Sequence, residues 1–319
     1  MNHPVVVLAG GLSHERDVSL RSGRRAAEAL RGVGLEVVER DVDGSLLSTL
    51  AAEPPSCVLP MLHGENGEDG AIREVLDLLG IPYVGSGPAA CRTAFDKPVA
   101  KSVVERVGIV TPESVCLPHE SFRELGAAQV MDAVLHRLGL PLVVKPARSG
   151  SALGCALVST ETELPDAMVG AFAYGPVALI ERYIGGTEVA VPVIDDGTGP
   201  RDLPAVAIRP DGPIYDYTAR YTAGSTEFTV PAALPDDVLA ECARVAIAAH
   251  QALGLRDLSR SDLIVGDDGS VRFLEVNVAP GFTETSLVPL SVEAAGLDLG
   301  EVLASLVRAA MARDARTTT

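Results

Sequence analysis

SRSDLIVGDDGSVRFLEVNVAPGFTETSLVP, residues 259–289, carries two apolar, β-rich runs on either side of a turn-forming cluster, Gly266-Asp267-Asp268-Gly269-Ser270, and so predicts a β-hairpin. Side chains alternate faces along a strand. Arg260 and Asp262 therefore share one face of the first strand, and Glu275 and Asn277 share one face of the second. A register that sets Asp262 opposite Glu275 also sets Arg260 opposite Asn277. It leaves Leu263, Val265, Leu274 and Val276 as the core face. Strand carboxylates are usually solvated surface acids, but two of them opposed on one sheet face repel each other. A cation between them removes that repulsion, and hard oxygen ligands suit magnesium. A metal site beside an arginine is the equipment of phosphoryl chemistry.

Working outward, the chain alternates strands and helices over residues 1–95, the pattern of a doubly wound α/β domain. Residues 5–8 (VVVL) form an apolar strand running into Gly10-Gly11-Leu12-Ser13-His14-Glu15-Arg16, with a helix behind. The loop is not GxGxxG, so it carries no dinucleotide fingerprint. It does lie at the carboxyl end of a strand, where open α/β sheets bind ligands. Glu15 there serves equally well as an acid at a helix N-terminus. Residues 35–40, 57–62 and 81–84 read as further strands, and His63 follows the third strand among glycines and acids. Residues 141–144 and 155–158 are strands around the loop KPARSGSALG (145–154), whose small residues allow backbone N–H groups to meet phosphate oxygens. Residues 177–184, 187–194 and 203–209 read as strands, 222–234 as a long loop, and 235–253 as an amphipathic helix.

The composition narrows the function. The chain has 319 residues, 47% of them hydrophobic, enough for two or three domains. A formal net charge of −17 repels nucleic acid and anionic membranes as a whole, so neither is an expected partner. No run of eighteen apolar residues is present. The start lacks a basic region and a cleavage site, and five scattered cysteines form no CxxC pair, so reduced thiols and a cytoplasmic location are expected.

Six ordered motifs then carry a resemblance: GGLSHERDVSLRSG (10–23), LHGENGEDG (62–70), GSG and DK (85–87 and 96–97), KPARSGSALG (145–154), IYDYTARY (214–221) and LEVNVAPGFTETSLVP (274–289). Together they resemble the D-alanine–D-alanine ligase family of the ATP-grasp superfamily. The resemblance implies a three-domain α/β ATP-grasp fold: an N-terminal doubly wound parallel-sheet domain (1–95), a central lobe (96–184) and a C-terminal lobe (185–319). It implies that ATP binds between the last two. Lys97 and Lys145 are then expected at the ATP phosphates, Glu181 at the adenine amino group and Glu188 at the ribose. Asp262, Glu275 and Asn277 are expected to hold two magnesium ions, with manganese as a substitute. Glu15 would bind the ammonium of the first D-alanine, with His63 nearby and Ser151 and Tyr221 in a network closing the site. Arg260 and the Gly281 N–H would form the oxyanion site. Ser286, with Leu287 beside it and helped by Arg220, would hold the second D-alanine. A homodimer is expected by the same analogy.

The chain departs from the family pattern in places. Ala152 stands where a second serine is usual, Ser149 where glutamate is common, and Arg220 where lysine is common. The usual Asn-Thr-x-Pro-Gly reads Asn277-Val278-Ala279-Pro280-Gly281, and Glu284 stands in the stretch expected to shape the second subsite. These departures motivate an alternative, a related ligase with a different second substrate in resistance or secondary metabolism. A third reading, a non-catalytic nucleotide-binding protein, has no use for an oxyanion arginine.

Overall fold

The computed structural model describes residues 3–222 and 224–317; the side chains of residues 66, 218, 221 and 314–317 lie outside that description. Its strands form three sheets. The first is parallel, order β2-β1-β3, from β1 (Val5–Leu8), β2 (Val37–Arg40) and β3 (Cys57–Pro60). Val5 and Val7 point into one core with Ala26, Ala27 and Leu30 of the helix Arg16–Gly32. Val6 and Leu8 point into another with Leu46, Leu50 and Leu76. Both faces are covered, which is why β1 reads as a continuous apolar run. Gly23 lets the helix approach the strand, since a Cβ there would lie 2.4 Å from that of Ala9. The expected strand at 81–84 is a single parallel bridge, Val58 to Tyr83, fixed by two hydrogen bonds; Pro82 removes a donor and stops it from extending. The last helix, Leu299–Thr317, returns across the molecule to pack on Arg16–Gly32 and β3.

The second sheet is antiparallel, order β4-β7-β5-β6, from β4 (Ser114–Pro118), β5 (Leu142–Pro146), β6 (Ala156–Val158) and β7 (Val177–Arg182). β5 and β6 form a hairpin whose loop carries Ser149 to Gly154. Ser151 and Ala152 both adopt left-handed φ values, 49° and 54°. Two helices, His119–Leu125 and Ala127–Leu138, lead into β5, separated at Gly126, whose φ of 90° breaks the run.

The third sheet has order β11-β10-β8-β12-β13, with β9 pairing β8. It comprises β8 (Thr187–Ile194), β9 (Arg201–Asp202), β10 (Val206–Pro210), β11 (Thr226–Thr229), β12 (Leu258–Val265) and β13 (Val271–Asn277). The stretch 222–234 is thus not all loop: residues 226–229 pair antiparallel with β10. The β12–β13 hairpin sets Asp262 opposite Glu275 and Arg260 opposite Asn277, as the alternation predicts. One part of that reading is wrong. The register shifts between Asp262 and Leu263, so Leu263 pairs with Phe273. Phe273, not Leu274, joins Leu263, Val265 and Val276 in the core over the helix Asp236–Ala252. The extra residue is a β-bulge, and it turns Leu274 toward a cleft instead. Among the described residues no helix is long and apolar enough to cross a membrane.

Candidate active site

Two adjoining clefts open where the three sheets meet. The first lies between the second and third sheets and is lined by Lys145, Glu181, Glu188, Asp262, Ile264 and Leu274 among others. The second is lined by Glu15, His63, Glu68, Ser151, Arg260, Asn277, Gly281, Ser286 and Leu287. Lys97, Ser149, Tyr215, Arg220 and Glu275 line both, so they stand where the contents of the clefts would meet.

β7 sets Glu181 at the back of the first cleft, 2% exposed. Lys145 of β5 and Lys101 of the helix Lys97–Glu105 each stand 2.5 Å from one of its oxygens. Burial pushes the Glu181 carboxyl up, but the two ammonium groups outweigh it and the net shift is downward. Burial lowers Lys101. Lys145 is also penalised by burial, but Glu181 and Glu275 hold it above the usual lysine range. Glu188 of β8 has no such cation on it; burial raises it to about 7 despite Arg220.

Arg260 and Asp262 alternate on β12 with Ser259 and Ser261, which point away from the clefts; all four are buried. Arg260 donates twice to Asp262, Nε to Oδ1 and Nη2 to Oδ2, each at 2.7 Å. Lys97 opens its helix behind the Asp96 N-cap, donates to the Ser149 carbonyl at 2.7 Å and stands 3.3 Å from Glu275. Burial raises Glu275, but Lys97, Lys145, Arg220 and Arg260 bring it down to about 2. Arg220 lies over the Tyr215 ring at 4.3 Å, with its buried Nε lacking a hydrogen-bond partner.

In the second cleft Glu15 precedes the helix Arg16–Gly32, and Ser151 donates to its Oε1. His63 Nδ1 meets the Ala279 carbonyl at 2.9 Å, and Nε2 meets Ser22 Oγ at 3.0 Å. Ser22 also accepts from Phe282 N–H at 3.0 Å. Burial lowers His63. A neutral ring donating from Nδ1 fits these partners, so His63 also positions the loop carrying Gly281. Asn277 Oδ1 accepts from Ala279 N–H at 2.7 Å, and Ser286 Oγ accepts from Thr283 N–H at 2.9 Å. The Tyr221 side chain lies outside the described residues. Glu284 is exposed and lines neither cleft.

Among the described residues no three His, Cys, Asp or Glu side chains form a ready metal cluster. The donor set Asp262, Glu275 and Asn277 is two carboxylates and an amide, all hard oxygens on two paired strands, which suits magnesium completed by phosphate oxygens rather than an all-protein cage. The sequence reading missed Lys101, Glu68 and Tyr215. Lys101 did leave a signal, a lysine on the same helix face as the buried Ala100 and Val104.

The chain is also similar to known proteins. Family models for the D-Ala D-Ala ligase C-terminus and N-terminus match residues 103–308 and 38–86. A protein of Anaeromyxobacter dehalogenans named D-alanine–D-alanine ligase is 40% identical over 298 residues, 93% of this chain and 94% of its own length. The crystal structure of the D-alanine–D-alanine ligase from Bacillus anthracis superposes with a TM-score of 0.82 at 30% identity, covering 99% of each chain. Its complex with ATP gives 0.81 at 28% identity, covering 98% of this chain and 99% of that one. The chain therefore belongs to the D-alanine–D-alanine ligase family and is a ligase of the ATP-grasp fold.

Proposed function

We infer that the chain joins two D-alanines to D-alanyl-D-alanine at the expense of ATP, in the cytoplasm, for peptidoglycan precursor synthesis. The observation that carries this is the continuity of the two clefts through Lys97, Arg220 and Glu275. A nucleotide on one side and amino acids on the other share one charged boundary. The bodies 1–95, 96–184 and 185–319 act as three domains around it, and the protein works as a homodimer.

ATP occupies the first cleft. Glu188 binds the ribose hydroxyls, and Lys97 and Lys145 bind the phosphates. Glu181 anchors Lys145 and accepts from the adenine amino group when that lysine turns to the phosphates. Asp262, Glu275 and Asn277 would hold magnesium, or manganese in its place, which when bound offsets charge on the β- and γ-phosphates. Glu15, oriented by Ser151 and Tyr221, fixes the ammonium of the first D-alanine, with His63 beneath. The carboxylate of that D-alanine attacks the γ-phosphorus, the bond to the β-phosphate bridging oxygen breaks, ADP is released from the transferred group and an acyl phosphate forms. Ser286 and Leu287 with Arg220 orient the second D-alanine, whose amine attacks the acyl carbon. Arg260 and the Gly281 N–H receive the oxyanion, and a donor of this kind is worth about 3–4 kcal/mol in the barrier. Phosphate leaves. Closure of the segment around Tyr217–Tyr221 keeps water from the acyl phosphate.

Incubation with ATP and D-alanine, read by coupled ADP release and by mass spectrometry of the dipeptide, tests the reading; no ADP release at millimolar substrate overturns it.

A further inference from the structure

One buried acid in the second cleft has no part in the scheme above. Glu68 ends the short helix Glu65–Glu68 and is 7% exposed. Its Oε1 accepts from Gly64 N–H at 3.1 Å. Its Oε2 has no protein hydrogen-bond partner among the described residues, and no Lys, Arg or His there comes within 4 Å of it. Glu15 lines the same cleft, close enough for its charge to act on Glu68. A Cβ built on Gly150 would lie 2.8 Å from Glu15 Oε2 and 3.6 Å from Glu68 Oε1. One built on Gly64 would lie 2.8 Å from Glu15 Oε2. The two glycines therefore let the Glu15 carboxylate approach the backbone closely, and Glu15, Gly150 and Glu68 line the same cleft.

We propose that Glu68 and Glu15 together hold the α-ammonium of the first amino acid, so that Glu68 is a substrate-positioning residue that selects for an amine. The proposal rests on the ligase reading above and assigns one more group to the same subsite. An ammonium carries three N–H donors, and one carboxylate leaves part of that charge uncompensated in a buried site. The protein supplies no cation of its own to Glu68. Lys97, the nearest lysine of the cleft, is committed to Ser149 and Glu275. The other ionisable groups acting on Glu68 are Glu15 from the loop after β1, Glu275 on β13 and Cys91 from the helix Pro88–Phe95, and His63 lines the same cleft. Burial and then the charge on Glu15 push the Glu68 carboxyl up to about 8. At neutral pH the empty site thus stores a proton on Glu68. Arrival of the ammonium sends that proton to solvent and leaves two carboxylates around one cation.

The test uses the full chain with ATP, magnesium and D-alanine. Losing a charged hydrogen bond predicts that Glu68→Gln raises KM for the first D-alanine about 10–100-fold, with a much smaller change in kcat and in KM for the second. In the parent protein kcat/KM for the first D-alanine rises with pH up to about 8; in Glu68→Gln that inflection is absent. Calorimetry in two buffers of different ionisation enthalpy reads close to one proton released on D-alanine binding by the parent and none by the variant. Unchanged ATP affinity shows that the variant is folded, and Glu68→Asp keeps the pH inflection. A normal KM for the first D-alanine in Glu68→Gln, or a persisting inflection, overturns the proposal. A parent protein that makes no dipeptide overturns the ligase reading instead.

Discussion

Arg260 and Asp262, two residues apart on β12, face each other through two 2.7 Å hydrogen bonds in a setting where both are nearly sealed from water. The pair joins the two functions of the hairpin, because Arg260 is proposed for the oxyanion and Asp262 for the metal. Removing Asp262 leaves Arg260 buried with only the weaker influence of Glu275, and breaking a buried pair in this way typically costs about 3–5 kcal/mol. Asp262→Ala should therefore lower the unfolding free energy by about that amount in urea titrations. Replacing both residues by apolar ones of similar volume should recover most of the loss and abolish turnover. A loss under about 1 kcal/mol in the single variant would mean that the pair is not buried as described.

Lys101 never touches the proposed nucleotide site except through Glu181. In Lys101→Met the volume of the side chain is kept and the charge removed, so Glu181 is left with Lys145 alone. Lys145 is then drawn more firmly to Glu181 and away from the phosphates. We expect ATP affinity to fall about tenfold, equivalent to about 1.4 kcal/mol, with KM for D-alanine unchanged. Equal loss in both would point to general unfolding of the clefts.

These two cases mark how far the sequence could be read. Strand alternation was enough to put Arg260, Asp262, Glu275 and Asn277 on one face in the right register, because period two is local information. It could not foresee the bulge beside Leu263, which depends on how β13 is drawn over the helix Asp236–Ala252, and so it misassigned Leu274. The resemblance led to the expectation of Lys97, Lys145 and Glu181 around one nucleotide, and all three line the first cleft. That Glu181 is shared by Lys101, that Tyr215 underlies Arg220, and that the last helix closes on the first sheet are long-range packing results. No local pattern specifies them.

His250 gives a stability test on the same strand from behind. It is 1% exposed, Nδ1 meets Ser259 Oγ at 2.8 Å, and Nε2 is buried without a partner. Burial lowers it to about 4. A histidine depressed in the folded state contributes stability that is complete above its unfolded pKa of about 6.5. That stability is lost as pH falls toward 4, since the unfolded chain takes up the proton first. The expected contribution is on the order of 2–3 kcal/mol across that window. His250→Gln should flatten the decline of the unfolding free energy between pH 6.5 and 4. An unchanged slope would assign the decline to other groups.

Glu284 and Gly281 lie three residues apart on one loop, and only Gly281 lines the second cleft. Glu284 is exposed and lines neither cleft, so Glu284→Gln should leave KM for the second D-alanine within about twofold, as surface substitutions usually do. Gly281 is different. A Cβ there would lie 2.8 Å from Ser286 Oγ, which accepts from Thr283 N–H. Gly281→Ala must push Ser286 off that position, and small displacements of a positioned group are costly, up to about 10²-fold. KM for the second D-alanine should rise and kcat should fall, with ATP affinity unchanged. A panel of D-amino and D-hydroxy acids, read by mass spectrometry of the products, checks both variants. If Glu284→Gln altered the choice of second substrate while Gly281→Ala did not, the subsite would lie on the Glu284 side of the loop.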